Sequence, residues 1–306
     1  MKLIAILRSP GFRAFFMVAA VVAAVWAVVG NWAEVSDAVG RLSWWQVALS
    51  LAVSILFVWL TMLAWRAILN DAGDPVSAGP ARRIFFVSQV AKYLPGSVWN
   101  FVAAAEMGAD YNISRRRSVT VLLMSILVSV LTGLVLASIA FVFGPSALIG
   151  TYWWVLLIVP VLLLVLYPPI LNGLVAKALT MLGRDGIGKP FSGRAIATAA
   201  AWSTLSWIVA GFQVWLILTG LGNDPIFETY LLTLGGYALA WVVGFLVFFI
   251  PAGVGVREVA LGASLAGLVP AGDVVVVVLL SRILFTLADL VLGLAASISI
   301  RKEADR

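Results

Sequence analysis

Long apolar runs separated by short polar stretches dominate the chain. Residues 14–29, 44–65, 119–143, 152–171, 195–220 and 274–300 read as six membrane-spanning helices. A bilayer core needs about 20 apolar residues in a helix, and the run 14–29 stands at the lower limit. A cleaved signal peptide also begins with basic residues and an apolar core. Here Trp26 and Trp32 stand where a small-residue cleavage site should be, so a retained first helix is expected. Trp44, Trp45 and Trp65 bound the second run as interfacial anchors.

Two further apolar stretches are interrupted. The first has halves at 83–94 and 97–107, broken at Pro95-Gly96, with Gln89, Lys92, Asn100 and Glu106 embedded. The second joins 230–249 to 259–269 through Ile250-Pro251-Ala-Gly253-Val-Gly255-Val-Arg257-Glu258. Proline has no N–H to give and glycine permits unusual dihedrals, so both helices should break there. Open backbone and ionised side chains persist at membrane depth only where they are buried in protein or line a wet cavity. The pattern is that of two re-entrant helical hairpins with their tips at a functional centre. The plainer alternatives are an interfacial helix with Lys92 snorkelling, and a headgroup-level loop carrying Arg257 and Glu258.

The expected fold is an all-α polytopic membrane protein of about six full transmembrane helices plus two broken hairpins. The hairpins share a register. At a constant offset of 156 residues Pro95 falls on Pro251, Val58-Trp59-Leu60 on Val214-Trp215-Leu216, and Leu134-Val135-Leu136 on Leu290-Val291-Leu292. Residues 44–145 and 195–300 are then two repeat units, preceded by an N-terminal helix and loop (1–43). They are joined by a helix and basic loop (146–194) and followed by a charged tail (301–306). An odd number of crossings separates equivalent points, so an inverted repeat is expected, an architecture of many transporters.

Composition narrows the function. Of 306 residues 63% are hydrophobic and 11% charged, which leaves no soluble domain. Cysteine and histidine are absent, removing disulfides, thiol nucleophiles and the usual zinc or haem ligands; no metal or cofactor is expected. No GxxxxGK[ST] loop is present, so the chain is not expected to pump at the expense of ATP. The net charge of +6 reflects basic loops beside anionic lipid and not nucleic acid. If each hairpin makes no net crossing, every lysine and arginine except Arg41, Lys92, Arg257 and Arg282 falls on one side. The positive-inside rule then places both termini in the cytoplasm, in the cell membrane.

Gln89-Val-Ala-Lys92-Tyr-Leu-Pro95-Gly96-Ser-Val-Trp99, the later Pro251-Ala-Gly253-Val-Gly255-Val-Arg257-Glu258, and Arg282 in Leu280-Ser-Arg282-Ile together resemble the lysylphosphatidylglycerol synthase transmembrane (flippase-domain) family. Ala252 stands where a glycine is common. The resemblance runs from about Trp44 to Ile300 and implies movement of a phospholipid between leaflets. The soluble synthase domain of the best-known members is not in this sequence, so lysyl transfer is not implied. The cargo stays open among phospholipid, aminoacyl-phospholipid and polyprenyl-linked lipids.

A headgroup phosphate crossing a low-dielectric region needs donors and fixed positive charge. Arg257 is the first candidate for that contact, since its guanidinium binds phosphate bidentately and stays charged. Lys92 is its counterpart in the first hairpin, with Gln89 and Asn100 as neutral hydrogen-bonding groups. Glu258 would hold Arg257 or a cationic headgroup. Arg282 and Asp289 lie seven residues apart on one helix face, so each should find its own partner elsewhere. Glu106 and Asp289 are possible ion-pair members. A static ion-pair network is the structural alternative for all of these. A membrane-embedded transferase using Glu258 or Glu106 as base, and an accessory subunit of a lipid-modifying or glycosyltransferase enzyme, are the rival functions.

Overall fold

A computed structural model describes residues 22, 25–26, 28–94, 99–144, 156–181, 183, 188–247, 250 and 253–298. Eleven helices run through them: α1 (Trp32–Arg41), α2 (Trp44–Asp71), α3 (Ala78–Ala91), α4 (Trp99–Ala109), α5 (Arg115–Phe143), α6 (Ile158–Val165), α7 (Pro168–Met181), α8 (Gly193–Gly220), α9 (Phe227–Leu246), α10 (Val256–Leu265) and α11 (Ala271–Ile298). Five of them, α2, α5, α8, α9 and α11, are long and apolar enough to cross a membrane. The bent pair α6–α7 makes a sixth if taken as one span. Most of the expected first span, 14–29, lies outside the described residues.

Local chemistry sets the helix ends. Ser114 and Ser192 accept the N–H of Arg117 and Ala195 through their side chains, satisfying donors that the first turn leaves open. Gln46 does the reciprocal service for the Ser43 N–H at the start of α2.

Two polar stretches of the sequence are partly helical. The segment 66–83 contains the end of α2 and the start of α3, leaving only 72–77 between them. The expected basic loop 172–194 begins as the continuation of α7 to Met181, and in α7 Leu171, Val175 and Leu179 form a fully buried stripe. That four-residue spacing was masked by the polar residues between. Pro168 and Pro169 occupy the first turn of α7, where a missing N–H costs nothing, after a 73° bend from α6.

The apolar interior forms two clusters. One gathers the C-terminal half of α2 with α3, α5 and α7; the other gathers α1, α9, α10 and the C-terminal half of α8. Leu51 and Phe57 of α2 touch both, and α11 contributes Ala288 and Leu292 to the first cluster and Val276–Phe285 to the second. Apolar side chains that point outward, such as Ile283, Leu287, Leu294 and Ile298 on α11, are left for lipid.

Polar ties group the helix ends into two faces. On one, Arg117 donates to Leu69 O and Asp74 O, and Asp71 accepts from the Ser192 N–H and hydroxyl. Both ends of the α3–α4 hairpin lie here, since Glu106 of α4 pairs with Arg115. On the other face Arg41 pairs with Asp273 and Asp37 and donates to Leu221 O, while Asn223 donates to Asp273. Both ends of the α9–α10 hairpin lie on this second face. Each hairpin therefore returns to the face it started from, and the two start from opposite faces.

Helix neighbours follow the same exchange. α3 packs on α11 as α9 packs on α5, and α2 packs on α11 as α8 packs on α5, with α2 against α8 at the centre. The offset of 156 residues holds from Arg115 to Ala271, but α2 and α8 begin at Trp44 and Gly193, seven residues short of it. A slip of seven is almost two turns and keeps the same helix face. The gap-free register thus applies to the later half of each unit only.

Candidate functional site

Between the two clusters lies a small cavity of about 50 Å³, partly open to the outside. Lys92 and Tyr93 enter it from the end of the first hairpin's leading arm. Tyr237 and Trp241 of α9, and Arg257 and Glu258 of α10, enter from the second hairpin. Ser281, Arg282, Phe285, Thr286 and Asp289 of α11 form one wall, and Phe57 of α2 another. The break residues Pro95, Gly96 and Pro251 lie outside the described residues, but their flanks reach this one cavity.

Arg257 is placed by glycines. Gly253 and Gly255 have φ of 66° and 86°, a region that a side chain would strain, so the chain turns into α10 only with glycine there. A Cβ on Gly244 would overlap Arg257 Cγ, and one on Gly253 would sit 3.1 Å from it. The arginine's aliphatic stem fills the room these glycines leave. Its guanidinium stands 5.6 Å from the Trp241 ring centre and 5.9 Å from that of Tyr237, a cation–π setting. Among the described residues no carboxylate lies within ion-pairing distance of it.

Glu258 does not hold Arg257. Neighbours in a helix point about 100° apart, so the two side chains diverge. Glu258 Oε2 accepts the Gly255 N–H at 2.6 Å, capping α10, and its Oε1 lies 3.3 Å from Arg282 Nε. Asp289, two turns along α11, meets the other hairpin. Its Oδ2 lies 2.7 Å from Lys92 Nζ and accepts the Tyr93 hydroxyl at 2.6 Å. The Asp289 side chain is only 3% exposed, and its Oδ1 has no hydrogen-bond partner. Lys92 Nζ also donates to Gln89 Oε1 at 3.0 Å, so Gln89 supports the lysine from behind and does not line the cavity.

Two candidates stand elsewhere. Glu106 is exposed and makes a bidentate pair with Arg115, at 2.8 and 2.6 Å, whose guanidinium holds the carboxyl below the usual carboxylate range. Asn100, near the start of α4, does not line the cavity. Conversely, Tyr93, Tyr237, Trp241, Ser281 and Thr286 were not singled out from the sequence. Ser281, Arg282, Thr286 and Asp289 recur at helical spacing, so a polar stripe on α11 is available as a signal.

The cavity holds three cations, Lys92, Arg257 and Arg282, against two carboxylates, Glu258 and Asp289. Lys92 and Arg282 each have a carboxylate and Arg257 has none, so the surplus charge resides on Arg257. In a low-dielectric interior that surplus attracts an anion strongly. Aromatic rings pack beneath the charges: Phe57–Phe285 centres are 5.1 Å apart, Tyr237–Phe285 4.8 Å and Trp207–Trp241 5.2 Å.

Gly244→Ala tests this placement. The added methyl should push the Arg257 stem aside and weaken any anion contact about tenfold, a loss of about 1.4 kcal/mol. Gly262→Ala, whose Cβ would find only ordinary contacts from 3.6 Å, should change little. Titration of both folded variants with a short-chain anionic phospholipid makes the comparison.

Apolar spans, outward lipid-facing side chains and a charged cavity between two broken hairpins define a multi-pass α-helical membrane protein. The chain belongs to the family described as the lysylphosphatidylglycerol synthase TM region, which matches residues 14–293. The family links the protein to lipid handling. No curated protein matches the chain.

Proposed function

We propose that the protein carries a phosphate-bearing lipid between leaflets, as a flippase or scramblase. The observation that supports this most is Arg257, a cation without a carboxylate in a cavity where every other charge is paired. A guanidinium so placed substitutes for the water a phosphate loses, while the acyl chains stay in lipid. Hairpins entering from opposite faces provide two routes to one centre, in keeping with an inverted repeat. In this reading the chain is a transporter and not an enzyme: both cavity carboxylates are engaged in ion pairs. A pathway enzyme that makes or modifies the lipid is its natural partner.

The test is reconstitution of the pure protein into liposomes containing labelled lipids. Phosphate-bearing lipids should exchange between leaflets faster than in protein-free vesicles, and a phosphate-free glycosyl diacylglycerol should not. Equal exchange of both, or of neither, would refute the reading.

The face carrying Arg82, Arg83 and Arg115 is assigned to the cytoplasm of the cell membrane, with both termini on that side. Single cysteines are readily introduced into a chain that has none. In intact cells an impermeant thiol reagent should label position 224 and spare position 116. The reverse pattern would invert the orientation.

A further inference from the structure

Asp289 is the one buried cavity carboxylate with an oxygen left over. Oδ2 is committed to Lys92 and Tyr93, while Oδ1 is buried and meets no donor. A bare carboxylate oxygen in such a place is costly unless something reaches it. The groups around it are few. Lys92 and Tyr93 approach from the end of α3, Arg282 shares α11, and Arg257, Glu258 and Tyr237 lie across the cavity. α2 and α8 carry ionisable side chains only towards the Arg117 face (Arg66, Asp71 and Arg194), and none of these lines the cavity. Glu34, Asp37, Arg41 and Asp273 cluster near the other end of α11, about 24 Å away by helical rise.

We infer that Asp289 is a proton site coupled to the lipid: it takes up one proton when a phosphate enters the cavity and draws Lys92 away from it. The inference rests on the phosphate-carrying role proposed above. The charges give the reason. Before entry Lys92 is neutralised by Asp289 and only Arg257 is surplus. A phosphate held by Arg257 attracts the nearby ammonium, whose flexible stem lets it turn towards the anion. Asp289 would then be a buried carboxylate without a cation, the form that desolvation disfavours most. A proton on Oδ1 removes that charge, leaving Oδ2 still accepting from Tyr93. The balance is simple: one proton leaves water, one O–H bond forms on Oδ1, and one Lys92–Asp289 ion pair is exchanged for a Lys92–phosphate pair. By linkage, a proton taken up on binding means that the lipid should bind more tightly at lower pH. The cargo would move with a proton.

The experiment uses purified full-length protein in detergent and weakly buffered solution with a pH-indicator dye. Short-chain phosphatidylglycerol is the probe, and binding is followed in parallel by calorimetry. Wild type should take up close to one proton per lipid bound. Asp289→Asn, which mimics the protonated state, should bind the probe at least as tightly yet take up none, with no change of affinity with pH. Binding without proton uptake in wild type would overturn the coupling while leaving the phosphate site standing. Equal uptake by wild type and Asp289→Asn would place the proton elsewhere and overturn it too. If Asp289→Asn does not fold, Lys92→Gln replaces it: with no ammonium to leave Asp289, proton uptake on binding should vanish, and undiminished uptake would overturn the coupling. Failure of wild type to bind the probe would overturn both the site and the coupling.

Discussion

Arg257→Ala should abolish most lipid exchange and leave the fold intact. The guanidinium has no carboxylate partner to strand, so its removal orphans no buried charge. What disappears is a charge-assisted contact to phosphate, worth about 1.5–3 kcal/mol. That corresponds to a fall of about 10- to 150-fold in exchange per folded molecule. Arg257→Lys keeps the charge but loses the flat two-pronged donor and the stacking over Trp241, so an intermediate rate is expected. Leaflet exchange in liposomes, normalised to folded protein, makes the measurement. A wild-type rate in Arg257→Ala for every headgroup would reduce the residue to a packing role.

Arg282→Met should do the opposite and damage the fold first. Arg282 and Glu258 are both about one-fifth exposed, and each faces the other. Removing one member of a largely buried pair commonly costs about 3–5 kcal/mol, because the other charge stays behind. Part of that is offset here, since Glu258 keeps its hydrogen bond from the Gly255 N–H. Loss of thermal stability in detergent, followed by helical circular dichroism, should therefore be clear. The double variant Arg282→Met with Glu258→Gln should recover much of it, because no lone charge remains. A double variant no better than Arg282→Met would show that the pair is not what Arg282 contributes.

Much of the membrane architecture was legible in the order of residues. Unbroken apolar runs locate α2, α5, α8 and α11, because in lipid a span must satisfy its own backbone and its length is fixed by the bilayer. The second break was legible from Gly253 and Gly255, whose left-handed dihedrals suit no other residue well. Pairings were not. Arg257-Glu258 looked like a pair because adjacency in sequence suggests it, whereas a helix sends consecutive side chains to different neighbours. Asp289 looked minor as a lone acid in a span, since its lysine lies 197 residues earlier and only tertiary packing brings them to 2.7 Å. Residues 172–181 of α7 read as a loop in the sequence because Asn172 and Lys177 obscure its buried stripe.

The spacing of Arg282 and Asp289 has a mechanical consequence. Seven residues bring a helix back to almost the same angle, about 10 Å further along its axis. Each residue fastens a different hairpin, Arg282 the one ending in Glu258 and Asp289 the one ending in Lys92. A hairpin that swings outward unfastens only itself, and the other stays closed on the same rod. A turn of α11 about its own axis would withdraw both fastenings together. The helix is thus a single post with two separate latches, one for each hairpin.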